Sequence, residues 1–520
     1  MNGPHAHFVR RTPRTARAAA QRVPVRFGGT SGHGYPVALA TAAVALLAGC
    51  MMGPDYARPK VDSPAAFRFE PAGAAETANT IWWKQYGDPV LDQLIDTALA
   101  NNLNVKIAAA NVEQAAAVIT QTRSSLFPQV GYSDSGERAR TPETALTQAI
   151  PNYPNPQTAY QALLTASWEI DLWGRIRRLS EAARANMLAT DEARRGVILS
   201  LVSTVATDYI TLRGLDEQLA IAKSTLGTYA ESVRLYQLQF KYGQTSQMTV
   251  AQAQSQYETA AAQIPQIESQ IAQTENALSI LLGRNPGPIP RGKSIYDLTL
   301  PLVPAGVPSA LLERRPDLMQ AEQSLIAANA QIGAAKALYF PAISLTGALG
   351  SSSTDLSNLF KGPTRVWNYA GQVIGPIFTF GAVSGQVAQS EAAQEAALLN
   401  YQLSIQNAFA DVDNALIANQ KLKEQLAAQE RLVAALKDYA RLAKLQYDGG
   451  YAPYSTVLQA EQTLFPAELT LAAVRASVFT SAGNTYKAMG GGWVTTADDL
   501  TTPSPAVPAS EKGIGLPPLF

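Results

Sequence analysis

Residues 238–254, LQFKYGQTSQMTVAQAQ, return as LQYDGGYAPYSTVLQAE at 445–461, displaced by 207 residues. The same displacement carries Trp173-Gly174 onto Phe380-Gly381 and Leu282-Gly283 onto Met489-Gly490. Leu126-Phe127-Pro128 returns as Tyr339-Phe340-Pro341, displaced by 213. The chain is therefore a tandem duplication of one unit of about 200 residues, and its fold and function are read per half. A catalytic site rarely needs building twice in one chain, whereas a symmetric wall or tube does.

The anchors end long helical segments. No proline occurs from about Arg175 to Lys241 or from about Ala382 to Tyr447. At 1.5 Å per residue each segment spans about 100 Å, far beyond an ordinary globular helix. Leu219, Ala222, Leu226, Tyr229, Val233, Tyr236 and Phe240 follow a 3-4 spacing that winds helices left-handedly around their neighbours. Glycine-marked turns follow at Tyr242-Gly243-Gln244 and Gly449-Gly450-Tyr451, and returning helices run to about Leu282 and Met489. Pro265 and Pro466 are expected to kink or locally break those returning helices.

Strands precede each long helix. Across Leu164–Trp173, Ala166, Trp168, Ile170 and Leu172 alternate with Thr165, Ser167, Glu169 and Asp171. Such alternation sets one face against apolar matter and the other against water. Ile343, Leu345, Gly347 and Leu349 repeat the theme, and a Gly-rich strand is expected to end at Phe380-Gly381. A β-like run starts at Phe127-Pro128, after one helix over about Pro89–Ser124. Each half thus reads helix, strand, strand, long helix, turn, returning helix. Four strands cannot close a membrane barrel, since single-chain barrels begin at about eight, so strands that face lipid need several chains. The alternative is a soluble sheet over a core. Trp168, Trp173 and Trp367 near strand ends, with the leader below, favour the membrane reading.

The charge balance is zero, but residues 1–49 hold six arginines and no acid, leaving 35 basic against 41 acidic side chains. That remainder argues against a nucleic-acid partner. His5, His7 and His33 are the only histidines and Cys50 the only cysteine. Past residue 50 this excludes disulfides, His/Cys metal sites and His-based catalysis, and favours a non-enzyme without cofactor or metal. Carboxylate-only and Ser/Lys chemistry stay open. The basic leader, the apolar run Val37–Leu47 and Leu47-Ala48-Gly49-Cys50 read as a bacterial lipoprotein signal, with Cys50 as the lipid-attachment site. An ordinary signal peptide with an incidental cysteine is the alternative. Met51 in place of Asp favours sorting to the outer membrane.

The stretch Leu311-Leu312-Glu313-Arg314-Arg315-Pro316-Asp317, then Ala321-Glu322, Ala328-Asn329-Ala330-Gln331-Ile332-Gly333 and Phe340-Pro341, resembles the outer-membrane factor family of TolC/OprM-like channels. Cys50 followed by Gly53-Pro54-Asp55-Tyr56 and Pro59, with Trp82-Trp83 before Leu91, resembles its NodT-type efflux lipoprotein branch. The resemblance covers nearly everything from Cys50 to Gly492. It implies an α+β membrane protein: long coiled helical hairpins form a periplasmic tube, and four β-strands per chain share a trimeric 12-stranded outer-membrane β-barrel. The implied division is a signal peptide (1–49), a lipidated segment (50–88), a first repeat (89–284), a Pro-rich equatorial connector (285–310), a second repeat (311–492) and a Pro-rich tail (493–520).

The family's function is a passive exit duct, and the implied partners follow from it. They are two further copies in a homotrimer, a periplasmic adaptor, an inner-membrane resistance-nodulation-division pump and outer-membrane lipid. Tyr447 matches a tyrosine that holds the closed tip, whereas Thr456 and Gln459 stand where the best-known members carry a constricting acidic pair. This departure implies a periplasmic gate of Tyr447, Thr456 and Gln459 that constricts sterically and by hydrogen bonding, with Asp448 and Glu461 close by as candidate charges. Gly243, Gln244, Thr245, Gly450 and Tyr451 are the expected adaptor contacts. Six methionines after Met1 and no downstream histidine disfavour a soft-metal relay. A duct for type I protein secretion and a periplasmic coiled-coil scaffold lipoprotein are the alternatives.

Overall fold

The computed structural model describes residues 51–70, 80–140, 142, 155–303, 308–490, 493–499 and 501, so Cys50 and the leader lie outside the described residues. After a short 3-10 turn at Trp82–Tyr86 come α1 (Pro89–Asn101), α2 (Leu103–Ser124), β1 (Gln129–Ala139), β2 (Gln157–Ile170), α3 (Arg175–Lys241) and α4 (Gln247–Leu281). The second half supplies α5 (Pro316–Ala337), β3 (Ala342–Ser353), β4 (Arg365–Ile374), α6 (Ala382–Asp448) and α7 (Tyr454–Ala488), followed by the short α8 (Trp493–Asp498). Both long helices have 67 residues and both returning helices 35.

Several expectations are corrected. The helix expected over Pro89–Ser124 is two, because the Asn102 side chain accepts the N–H groups of Asn104 and Val105 and donates to the Leu281 carbonyl. Strand β2 stops at Ile170 rather than Trp173, since the Asp171 carboxylate accepts the N–H groups of Ile176 and Arg177 at 3.0 and 2.9 Å and starts α3. Strand β4 ends at Ile374, short of Phe380-Gly381, where Gly375-Pro376 follows and proline has no N–H to give the ladder. Helices α4 and α7 run through Pro265 and Pro466 unbroken, as packing along their length outweighs one lost hydrogen bond. Residues 493–498, expected within the tail, form α8, whose Asp498 carboxylate receives the buried Arg194 guanidinium.

The four strands form one antiparallel sheet in the order β1-β2-β3-β4. Its pairing sets Tyr132, Leu164, Leu349 and Trp367 in one row and Val130, Ala166, Gly347 and Tyr369 in the next, all on one face. The opposite face carries rows such as Gln129, Ser167, Thr346 and Ala370, or Glu169, Ser344 and Gln372. A sheet apolar on one face and polar on the other, with none of the described α-helices packed on it, suits lipid outside and water inside. No described helix is long and apolar enough to cross a membrane.

Each strand continues into a helix, and the lateral order persists. Beside the sheet the helices lie α2-α3-α5-α6, and further along α4-α3-α7-α6. A core at mid-length joins Trp82, Tyr86 and α1 to α3, α7, Ile295 of the connector and Val494 of α8. Trp82 stacks on Tyr486 with centroids 5.4 Å apart. Asp88, fully buried, caps α1 through Val90 N–H and also receives Tyr209 Oη at 2.8 Å and Lys293 N–H at 3.0 Å.

Candidate functional site

The two hairpins turn at the end of the helices furthest from the sheet. Gly243 (φ 72°) and Gly450 (φ 75°) adopt the left-handed conformation that glycine reaches without strain. Gln244 N–H bonds Gln239 O, and Tyr451 N–H bonds Gln446 O, each at 2.8 Å, so both long helices close in the same way. Ser246 caps α4 through Thr249 N–H. The turns are exposed, Tyr451 at 89%.

Just behind them three tyrosines from three helices meet. Tyr236 of α3 lies 3.9 Å from Tyr454 of α7 and 6.3 Å from Tyr447 of α6, centroid to centroid, and Tyr447 lies 5.6 Å from Tyr454. Val233, Ala253, Ala443, Val457 and Leu458 complete this apolar plug. Burial pushes the Tyr454 hydroxyl up to about 12, and burial beside Tyr454 and Tyr447 raises Tyr236 further. Tyr236 and Tyr454 therefore stay neutral at any physiological pH. The Tyr447 hydroxyl reaches Gln239 Oε1 at 3.5 Å, a weak bond, so packing dominates.

Residues matched by the profile of the outer membrane efflux protein family are 94–284 and 307–491, one span per half of the duplication. The chain belongs to the outer membrane efflux protein family. It is 36% identical to the probable efflux pump outer membrane protein TtgC of Pseudomonas putida over 455 residues, 86% of this chain and 94% of that one. It is 35% identical to the cation efflux system protein CusC of Escherichia coli over 454 residues, 86% and 97% of the two chains. The open-state outer-membrane channel MtrE of Neisseria gonorrhoeae superposes with a TM-score of 0.76 at 32% identity, covering 85% of this chain and 99% of that one. The protein is accordingly an outer-membrane efflux channel, a transport duct without enzymatic chemistry.

Within this efflux-family chain the structure sets Tyr447 in the aromatic plug but leaves Thr456 and Gln459 out of it. They lie three apart on α7, Thr456 half-buried and Gln459 exposed. Gly243, Gln244, Gly450 and Tyr451 are exposed, and Thr245 is half-buried. Asp448 is exposed, whereas Glu461, read from sequence as a companion charge, turns inward. Its Oε2 is buried without a hydrogen-bond partner, and its main-chain oxygen accepts the Tyr229 hydroxyl at 3.3 Å. The sequence assigns neither Tyr236 nor Tyr454 to the gate, although Tyr454 ends the Gly450–Tyr454 stretch expected to meet the adaptor. Tyr236 stood in the 3-4 stripe as an ordinary core position, and nothing local shows that Tyr454 meets it.

Burial raises the Glu461 carboxyl above its ordinary 4.5, with Lys444 of α6 opposing the shift. Tyr229 of α3 and Tyr454 of its own helix also face it. Because the packed tip prefers the protonated acid, this contribution to packing is full below the ordinary value and is lost as pH rises through the raised one. Conductance of the reconstituted channel should therefore increase with pH above 4.5, and Glu461→Gln should flatten that slope. An unaltered slope in Glu461→Gln would locate the titration elsewhere.

Proposed function

We propose that three copies of this chain form one outer-membrane exit duct, and that it passes solutes delivered by an inner-membrane resistance-nodulation-division pump through a periplasmic adaptor. Supporting this is a single observation: among the described residues the same two sides are open at every level. Strand β1, α2 and α4 lie along one side, and β4 and α6 along the other. Helix α3, in the middle, buries 26 of its 67 residues; α6, at the edge, buries nine of 67. Strand edges left unpaired in lipid are costly, so copies must close the sheet. Two copies would give eight strands, whose interior side chains fill, so three is the smallest number that leaves a lumen.

The proposed gate is Tyr447, Thr456 and Gln459, backed by the tyrosine plug, and the proposed adaptor contacts are Gly243, Gln244, Thr245, Gly450 and Tyr451. The scarcity of histidine and methionine favours small organic solutes as cargo. Light scattering of detergent-purified protein should give three copies, and planar bilayers should show discrete current steps. Monomeric, detergent-independent material that passes no current would overturn the reading.

We also propose lipidation at Cys50. Met52, two residues on, donates its N–H to the Trp173 carbonyl at 3.2 Å, at the junction of sheet and helix where acyl chains would meet the inner leaflet. Cys50→Ser should remove the lipid mass in mass spectrometry yet leave the trimer assembled, because the barrel holds itself in the membrane. Loss of the trimer would assign the lipid an assembly role instead.

A further inference from the structure

The duplication fixes more than the fold of one chain, because its two displacements govern strand register. Gln129 pairs with Ser167 between β1 and β2, and Ala342 pairs with Ile374 between β3 and β4. Passing from the first pair to the second displaces β1 by 213, as between the ends of α2 and α5, and β2 by 207, as between α3 and α6. Both pairings within the chain therefore obey one transformation. The β2–β3 pairing has a counterpart under it only across a seam, where β4 of one copy meets β1 of the next.

We propose that β4 pairs with β1 of the neighbouring copy with Gly371 opposite Gly136, a register that sets Tyr369 opposite Arg138 and Trp367 opposite Arg140. The proposal rests on the reading that copies of the chain share one barrel. Leu164↔Leu349 becomes Gly371↔Gly136, Ala162↔Ser351 becomes Tyr369↔Arg138, and Tyr160↔Ser353 becomes Trp367↔Arg140. The transferred pairing is antiparallel and preserves which face each strand presents, since Trp367 and Tyr369 already share a face with Tyr132 and Val130, whose face Arg138 and Arg140 extend at the far end of β1. A slip of one residue would turn that face inward.

The side chains at the seam fit one another. Trp367 and Tyr369 are 68% and 82% exposed and stack with centroids 5.8 Å apart and an interplanar angle of 6°. Arg138 near the end of the facing strand and Arg140 just beyond it bring guanidinium planes onto that aromatic pair, which suits cation–π contact. The same transfer explains a second exposed group. Trp173 stacks on Phe340 within the chain with centroids 4.6 Å apart, and the displacements carry this contact onto Phe380 of one copy and Phe127 of the next. Phe380 is 101% exposed in the single chain.

Engineered cysteines test the register on the full-length protein in membranes. Ser135 and Gln372 fall directly opposite in this register, whereas Ser135 and Ala370 fall two residues out. Directly opposed Cβ atoms lie about 4.5–5.5 Å apart and diagonal ones farther, and a disulfide needs about 3.5–4.5 Å. Mild oxidation of S135C/Q372C should give disulfide-linked dimers and trimers on a non-reducing gel, about tenfold more than S135C/A370C. Single-cysteine variants control for Cys50. If the slipped pair links better, or neither links while light scattering still counts three copies, the register is wrong and the shared barrel stands. Monomeric protein would overturn both.

Discussion

Tyr236→Ala is expected to raise the resting conductance of the reconstituted channel more than any other single substitution at the tip. Tyr236 is 4% exposed and is the ring that joins α3 to both helices of the second hairpin. Truncating a buried aromatic costs about 3–5 kcal/mol, and each aromatic pair adds about 0.5–1.5 kcal/mol. A loss of about 3 kcal/mol in the packed tip moves its balance with a loosened tip by roughly a hundredfold. Tyr447→Ala should act in the same direction but less, because Tyr447 is half-buried and its bond to Gln239 is weak. Tyr236→Phe keeps the ring and should behave like the parent. Unchanged conductance in Tyr236→Ala, in trimers of normal thermal stability, would remove the plug from the gate.

The second large effect concerns the segment that follows Cys50. Arg178 is 2% exposed; its Nε donates to Met52 O at 3.1 Å, and Nη2 donates to Gly53 O at 3.4 Å and Asp55 at 2.7 Å. Asn329 donates to Pro54 O, and Tyr56 and Arg58 both reach Glu322, so the segment is strapped along α5. Contact is so close that a Cβ on Gly333 would run into the Met52 carbonyl oxygen. Asp55 is 92% exposed and its ion pair adds little. The loss in Arg178→Ala is mainly of charge-assisted bonds to main-chain carbonyls, about 1.5–3 kcal/mol each. A total near 3 kcal/mol predicts cleavage within residues 51–70 about a hundredfold faster in limited proteolysis. Arg178→Lys should be intermediate, having charge but no fork. Equal protease resistance in Arg178→Ala would mean that the strap holds without this residue.

These contacts explain the motifs that carried the family resemblance. Gly53-Pro54-Asp55-Tyr56 and the Asn329–Gly333 stretch lie about 280 residues apart in sequence and touch in the fold, with Arg178 between them. Arg315 bonds Asp317, Asp411 and the Ala488 carbonyl, tying the start of α5 to the middle of α6 and the end of α7. The sequence showed that these residues were special but not that they meet.

What the residues settled alone was everything that repeats locally. The displacement of 207 residues appears unchanged between α3 and α6 and between α4 and α7. The alternation about Trp168 placed the strand and its apolar face. Periodicity reports which face of an element is apolar, because side-chain direction follows from backbone geometry. It does not report what that face meets. The break at Asn102, the stop at Ile170, the inward turn of Glu461 and the meeting of Tyr236, Tyr447 and Tyr454 each depend on groups distant in sequence. The same holds for α3 and α6, equal in length yet one enclosed and one at an edge, since only the arrangement of neighbours in space decides which apolar stripe is covered.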